Sequence, residues 1–247
     1  MIRNVKLTIA YDGTRYSGWQ RQGNTENTIQ NKLEQALSML LGTAVEIHGS
    51  GRTDAGVHAA GQTASFHADT EKSCKALLCA LRNALPQDIG ILSLEEAAPR
   101  FHARLSATQK TYCYRIWNSE VPNVFQRRYV CTEPEPLDRD AMRQTLPCFL
   151  GTHDFRAFCS NPSFKKSAVR TIYAISLDED GDLLSLCVTG NGFLYNMVRL
   201  IAGTLLRVGR GELDSAAVQN ILKTGDRKNA GPIAPAQGLC LMEVRYD

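Results

Sequence analysis

"GSGRTDAGVHAAGQ", residues 49–62, sets Arg52 and Asp54 among glycines, with His58 close behind. What flanks this stretch decides how the fold is read. "AVEIH" (44–48) precedes it and "QTASFH" (62–67) follows it. Both are short runs with the β-branched, aromatic and alternating character of strands. A glycine-rich loop that cradles a dinucleotide runs from a strand into a helix. This loop runs from strand to strand, and no helix at the right spacing follows it.

Outward from the loop, the chain alternates irregularly between two periodicities. "VKLTIAY" (5–11), 89–97 and "KTYCYRIWN" (110–118) read as strands; in the last, Tyr112, Tyr114 and Ile116 share one face and Cys113, Arg115 and Trp117 the other. Residues 28–42 read as a helix with Thr28 as N-cap, a stripe of Ile29, Leu33, Leu37 and Leu40, and Gly42 as the stop. A second helix covers 73–86 and ends at Pro86. A third covers 138–151, where Pro147 kinks or shortens it. Residues 169–191 read as a hairpin turning at the acidic run "DEDGD" (178–182). A strong helix over 192–211 carries Leu194, Val198, Ile201, Leu205 and Val208 on one stripe. A short helix (215–225) and a closing strand (238–246) follow. Strands and helices mixed without strict alternation predict an α+β fold with mainly antiparallel sheets and helices on one face. Two similar halves are expected, 1–108 and 109–247.

The 247 residues carry 43% apolar and 21% charged side chains, enough for a substantial core and unlike a disordered chain. The net charge of +3 does not by itself announce a nucleic-acid binder. Its distribution says more. Arg100, Arg104, Lys110, Arg115, Arg127 and Arg128 face one acid, Glu120, while Lys165, Lys166 and Arg170, and then Arg199, Arg207 and Arg210, follow unopposed. Gathered on one face these would bind an anion as large as RNA; spread out they are solvated surface. Eight cysteines at no metal-binding spacing predict reduced, mostly buried thiols. The opening residues enter a strand pattern without a signal peptide, and no apolar run is long enough to span a membrane, so a cytoplasmic protein is expected.

Within the loop, Gly49, Gly51 and Gly56 allow sharp turns and close approach to a ligand. Arg52 offers a planar fork of donors suited to phosphate. Asp54 is a carboxylate on a rigid turn, able to act as nucleophile or base, or simply to bond its own turn's amides. The Asp-Ala-Gly string also echoes aspartic proteases, but those need two copies, and the chain has no good second one. His58, His102 and His153 have no third ligand beside them, so structural roles or RNA contacts are expected and no metal. Trp19 and Gln20 in "SGWQRQ" shape a loop whose Gly13, Gly18 and Gly23 suggest mobility.

"YDGTRYSGWQRQ" (11–22), "GSGRTDAGVHAAGQ" (49–62), "FHAR" (101–104), "KTYCY" (110–114), "FLGTHDF" (149–155), "GNGFLYNMVRLIAGTLLRVGRG" (190–211) and "APAQGLCL" (234–241) occur in that order. Together they resemble the tRNA pseudouridine synthase A family, over essentially the whole chain. The resemblance implies two related subdomains whose sheets join into one extended sheet, helices on its outer face and an active cleft between the subdomains. It implies an isomerase that converts uridine to pseudouridine at positions 38–40 of the tRNA anticodon arm after base flipping, as a homodimer and without a cofactor.

The implied roles follow residue by residue. Asp54 matches the nucleophile; whether it attacks ribose or uracil stays open. Arg52 matches the arginine that extrudes the nucleotide, and Tyr112 the tyrosine that packs on the flipped base, whereas Tyr114 reads as an ordinary strand aromatic. Arg199, at the edge of its helix's apolar stripe, matches the arginine that pairs with the catalytic carboxylate, against a plain reading of snorkelling to solvent. Phe193 and Leu194 are expected to line the apolar side of the pocket, and His58 and Gln62 to contact substrate. Two rivals remain. A non-catalytic RNA chaperone would use the same basic face but has no need of a carboxylate there. Another tRNA-modifying enzyme, such as a methyltransferase, would need a cofactor loop that the sequence lacks.

Overall fold

The computed structural model describes residues 2–161 and 166–247, so Lys165 of the second basic run lies outside the described residues. The chain divides into two compact units, Met1–Thr108 with Cys240–Asp247, and Gln109–Leu239. The closing strand was expected in the second half. Its last residues belong instead with the first unit, because they pair in parallel with a strand of that unit, Cys240 opposite His58 and Leu241 opposite Ala59.

In the first unit, β1 (Ile2–Tyr11) buries Val5, Leu7, Ile9 and Tyr11, the alternation expected of a strand covered on one face. It pairs antiparallel with β3 (His58–Asp69) on one side and β4 (Ile89–Glu96) on the other, giving the order β4-β1-β3-β10, with β10 spanning Leu239–Tyr246. Helix α1 (Ile29–Leu41) starts where the Thr28 hydroxyl accepts the Asn31 N–H and stops at Gly42, whose φ of 71° is left-handed. Helix α2 (Cys74–Ala84) is capped by Ser73 and packs on β4.

The expected strand over 44–48 shrinks to β2, His48–Gly49, opposite Ser65 and Ala64. Side chains of α1 take the backbone groups that a neighbouring strand would have bonded. Glu34 Oε1 accepts Ile47 N–H at 3.0 Å, the Gln30 amide donates to Ile47 O at 3.1 Å, and Ser38 Oγ accepts Val45 N–H at 3.0 Å.

In the second unit, β5 (Ala107–Asn118), β9 (Leu183–Gly190), β8 (Val169–Asp180) and β7 (Gly151–Asp154) follow one another antiparallel, and β6 (Cys131–Glu133) adds to β5 in parallel. The hairpin turns at Gly181 and Asp182, within the acidic run. Helix α3 (Arg139–Thr145) is shorter than read from sequence, because Leu146–Phe149, with Pro147 near its start, tightens into a 3₁₀ turn. It packs with α4 (Met197–Gly209) and α5 (Ser215–Thr224). Helix α4 begins at Met197, five residues after the expected start at 192. Asn196 precedes it with a φ of 60°, a left-handed conformation that no helix continues through, so Phe193 and Leu194 lie in the turn before it.

The thiols depart from expectation. Cys113 on β5 and Cys187 on β9 stand directly opposite, their Cα atoms 4.1 Å apart, and form a disulfide. Of the six others, two are buried, Cys131 and Cys159, and Cys79 is exposed. Sequence spacing gave no sign of the pair, since 74 residues separate its members and only the strand register unites them.

Candidate active site

The loop that carries Asp54 spans residues 50–57, because His58 to Gln62 already belong to β3. Asp54 opens a tight turn: Val57 N–H bonds its carbonyl at 3.1 Å, and Gly56, at φ 79°, occupies the position that demands a left-handed residue. Asp54 itself is half-buried and Arg52 exposed.

The rest of the loop is clamped by its neighbours. Trp19 N–H donates to Thr53 O at 3.0 Å, and the Tyr11 hydroxyl meets Thr53 Oγ1 at 2.7 Å. Gly13 N–H donates to His58 Nδ1 at 3.0 Å. Beneath the loop, Gln62, fully buried, accepts the Ser50 hydroxyl at 2.6 Å and donates to Gly51 O at 3.0 Å, while Ser50 N–H bonds Thr63 O at 2.7 Å. His58 and Gln62 were expected to contact substrate. Both are buried; His58 Nδ1 accepts the Gly13 N–H of the N-terminal loop, and Gln62 braces the Asp54 loop at Ser50 and Gly51.

The N-terminal loop is packed where mobility was expected. A Cβ on Gly13 would stand 1.9 Å from Val57 O, and one on Gly18 2.6 Å from Thr53 O. Those glycines allow two backbones to touch; of the three, Gly23 has open space around it. Trp19, 2% exposed, lies against Gly49, where a Cβ would fall 2.5 Å from its ring. Further out, Asp88 accepts the Tyr16 hydroxyl at 2.6 Å and Arg15 Nε at 3.1 Å. Burial raises the Asp88 carboxyl, but these two donors outweigh it and leave the group below the ordinary carboxylate range.

In the second unit, Tyr112 is nearly buried on β5 and meets Phe193 edge to face, ring centroids 5.2 Å apart at 86°. Leu194 is buried beside it in sequence. Arg199 stands in the first turn of α4. Its Nε donates to Ala234 O at 2.7 Å and its Nη1 to Asn196 Oδ1 at 2.8 Å, so the half-buried guanidinium is held against protein and does not snorkel freely. Tyr114 is a core residue, fully buried, donating to Pro235 O at 2.9 Å; burial first, then Cys131, drives its hydroxyl far above the ordinary tyrosine range.

The remaining histidines have structural surroundings. His102 stacks on His48 with centroids 5.0 Å apart and accepts Arg104 N–H, and burial, then His48, lowers its pKa. His153 bonds Leu150 O at 2.7 Å. Among the described residues no group of three or more His, Cys, Asp or Glu is placed to hold a metal ion, and no helix is long and apolar enough to cross a membrane. Two arginines read as unopposed meet acids in the fold, Arg207 with Glu212 at 2.9 Å and Arg210 with buried Glu133.

Sequence reasoning missed Tyr11, Thr53, Gln30 and Glu34, all of which support the loop. The available signal was Gln30 and Glu34, one helical turn apart and next to the apolar stripe of α1, a place where polar residues must find partners.

A family model described as tRNA pseudouridine synthase matches residues 7–105 and 147–247. The chain is 46% identical over 245 residues to tRNA pseudouridine synthase A 2 of Clostridium perfringens, covering 99% of this chain and all of that one. It is 44% identical to the protein of that name from Bacillus cereus and 41% to tRNA pseudouridine synthase A 1 of Clostridium tetani, with the same coverage. Among solved structures, a chain of a Cbf5–Nop10–Gar1 complex aligns over 96% of this chain and 47% of its own at 12% identity, with a TM-score of 0.35, too slight a likeness to build on. The match along most of the chain, with relatives above 40% identity from end to end, places it in the tRNA pseudouridine synthase family: it is an isomerase that converts uridine to pseudouridine in tRNA.

Proposed function

We propose that Asp54 is the nucleophile of this isomerisation, that the target uridines lie at positions 38–40 of the anticodon arm, and that the enzyme works as a cytoplasmic homodimer. The observation that carries the assignment of Asp54 is its seat. A half-buried carboxylate sits at the head of a glycine-dependent turn whose loop is bonded through its backbone to β3 and the 12–19 loop and through the Thr53 side chain to β1. Rigid placement of a reacting group lowers the barrier for covalent chemistry, whereas a protein that only grips an anionic strand gains nothing from a fixed acid. Arg52, Tyr112 and Arg199 take the roles that the family resemblance implies: extruding the nucleotide, stacking on the uracil and keeping the carboxylate ionised. Phe193, edge-on to Tyr112, sets the ring plane against which the base would stack.

The overall change breaks the bond from the sugar C1′ to uracil N1, forms one from C1′ to C5, releases the proton of C5 to water and takes up a proton at N1. The released proton supplies the test. Wild-type protein and Asp54→Asn are incubated with tRNA tritiated at uridine C5, without added cofactor, and tritium in water is counted. Release by the wild type, lost in the variant while tRNA binding persists, is the expected outcome. Binding without release by either protein, on several tRNAs with uridine in that arm, would overturn the catalytic reading and favour a chaperone.

A further inference from the structure

We infer that Gln20 is a positioning residue for Arg52, and that the buried carboxylate of Glu34 sets the polarity of the relay that holds it. The inference rests on the role proposed for Arg52. Four side chains of the first unit form a line. Arg52 Nε donates to Gln20 Oε1 at 3.0 Å, Gln20 Nε2 donates to Gln30 Oε1 at 2.7 Å, and Gln30 Nε2 donates to Glu34 Oε1 at 2.8 Å. Gln30 and Glu34 are 5% and 4% exposed, so both must satisfy their polar atoms within the protein.

The direction of every bond follows from the far end. An ionised carboxylate only accepts. Glu34 receives Gln30 Nε2, Ile47 N–H and Arg21 Nη1. The amide nitrogen of Gln30 is thus committed to Glu34 and Ile47 O, and its oxygen must face outward, where it accepts both Gln20 Nε2 and Arg21 N–H. Gln20 is then forced to turn its own oxygen to Arg52. A glutamine amide alone could flip and repel the guanidinium; this one cannot flip without setting two donors or two acceptors against each other. The exposed arginine is held by its Nε–H, so its outer edge points to an incoming strand, pre-organised for phosphate.

Two measurements test this. In wild type, the Arg52 Nε–H, assigned by its loss in Arg52→Lys, should give a resolved proton–nitrogen NMR signal that exchanges slowly with water. Gln20→Ala and Glu34→Gln should each speed that exchange at least about tenfold, the effect of freeing a charge-assisted hydrogen bond. If Glu34→Gln fails to fold, Gln20→Ala, a change at the half-buried end of the line, decides alone. In single-turnover tritium release, Gln20→Ala should lower the rate about tenfold, with tRNA affinity within about twofold, and should add nothing in an Arg52→Ala background. Unaltered Nε–H exchange in Gln20→Ala overturns the relay, as does a rate loss that multiplies in full with Arg52→Ala. A rate loss in Arg52→Ala with none in Gln20→Ala sinks the relay alone, whereas an Arg52→Ala protein as fast as wild type sinks the role of Arg52 beneath it.

Discussion

Replacing Gly13 by alanine should unseat the Asp54 loop from a distance, and the size of the effect can be worked from the backbone. The added Cβ would stand 1.9 Å from Val57 O, and contacts under 3.0 Å essentially never occur, so the two segments must part by about 1.1 Å. The atom in the way is main chain on both sides, and no side chain can swing aside to relieve it. The bond from Gly13 N–H to His58 Nδ1, now 3.0 Å, would stretch to about 4 Å and be lost. The neighbouring bond between Tyr11 and Thr53 spans the same seam and would weaken with it. Each buried group left unsatisfied costs about 1–3 kcal/mol, against about 0.4–1 kcal/mol gained by stiffening the unfolded chain. Destabilisation wins, at about 2–3 kcal/mol.

Val57 closes the turn that Asp54 opens, so a shift of this size reaches the carboxylate, and an ångström of misplacement lowers turnover about a hundredfold. Denaturant unfolding and tritium release from tRNA would measure both effects. Gly23→Ala is the control in the same loop: nothing lies within 4 Å of its Cβ, so stability and rate should stay near wild type. A Gly13→Ala protein with wild-type stability and rate, or equal damage from Gly23→Ala, would refute the clamp.

Two further outcomes follow from side chains. Asp88, held below the ordinary carboxylate pKa by Tyr16 and Arg15, lends stability that is fully present above the unfolded value near 3.8 and fades as pH falls through the lower folded value. Asp88→Asn should therefore unfold at lower denaturant than wild type at pH 7 and close most of that gap in acid below pH 3.8; a gap that stays constant with pH would remove the ionised carboxylate from the explanation. Thiol titration in denaturant should count six free cysteines before reduction and eight after, Cys113 and Cys187 making the difference, and eight before reduction would contradict their bond.

The parts of the fold that were legible from sequence are those whose cause is local. Thr28 and Gly42 bound α1 because a hydroxyl reaches the third amide and a glycine tolerates positive φ, and both are properties of the residue itself. The start of α4 was misplaced because its apolar stripe begins at Leu194, which is buried for the sake of its surroundings while Asn196 turns the chain. The strand over 44–48 failed for a related reason. Its residues favour extended structure, but the helix beside them supplies the hydrogen bonds that periodicity assigned to another strand. The pairing of Cys113 with Cys187 and the return of β10 to the first unit depend on register between distant segments, which one sequence does not encode in any local pattern.

The same distinction runs through the site. Asp54 and Arg52 stood out because a charge among glycines is locally odd. The residues that hold them did not, because their meaning is relational. Gly13 matters through Val57 O, Gln62 through Gly51 O, and Gln20 through Gln30 and a carboxylate on α1. His58 and Gln62, expected to contact substrate, are likewise defined by their partners: both are buried, His58 Nδ1 taking the Gly13 N–H and Gln62 bonding Ser50 and Gly51 O. A loop rich in glycine is flexible only in the unfolded chain. Here Gly13, Gly18 and Gly49 let backbone and indole pack at distances no other residue permits, and the carboxylate they surround gains its fixed position from their lack of side chains.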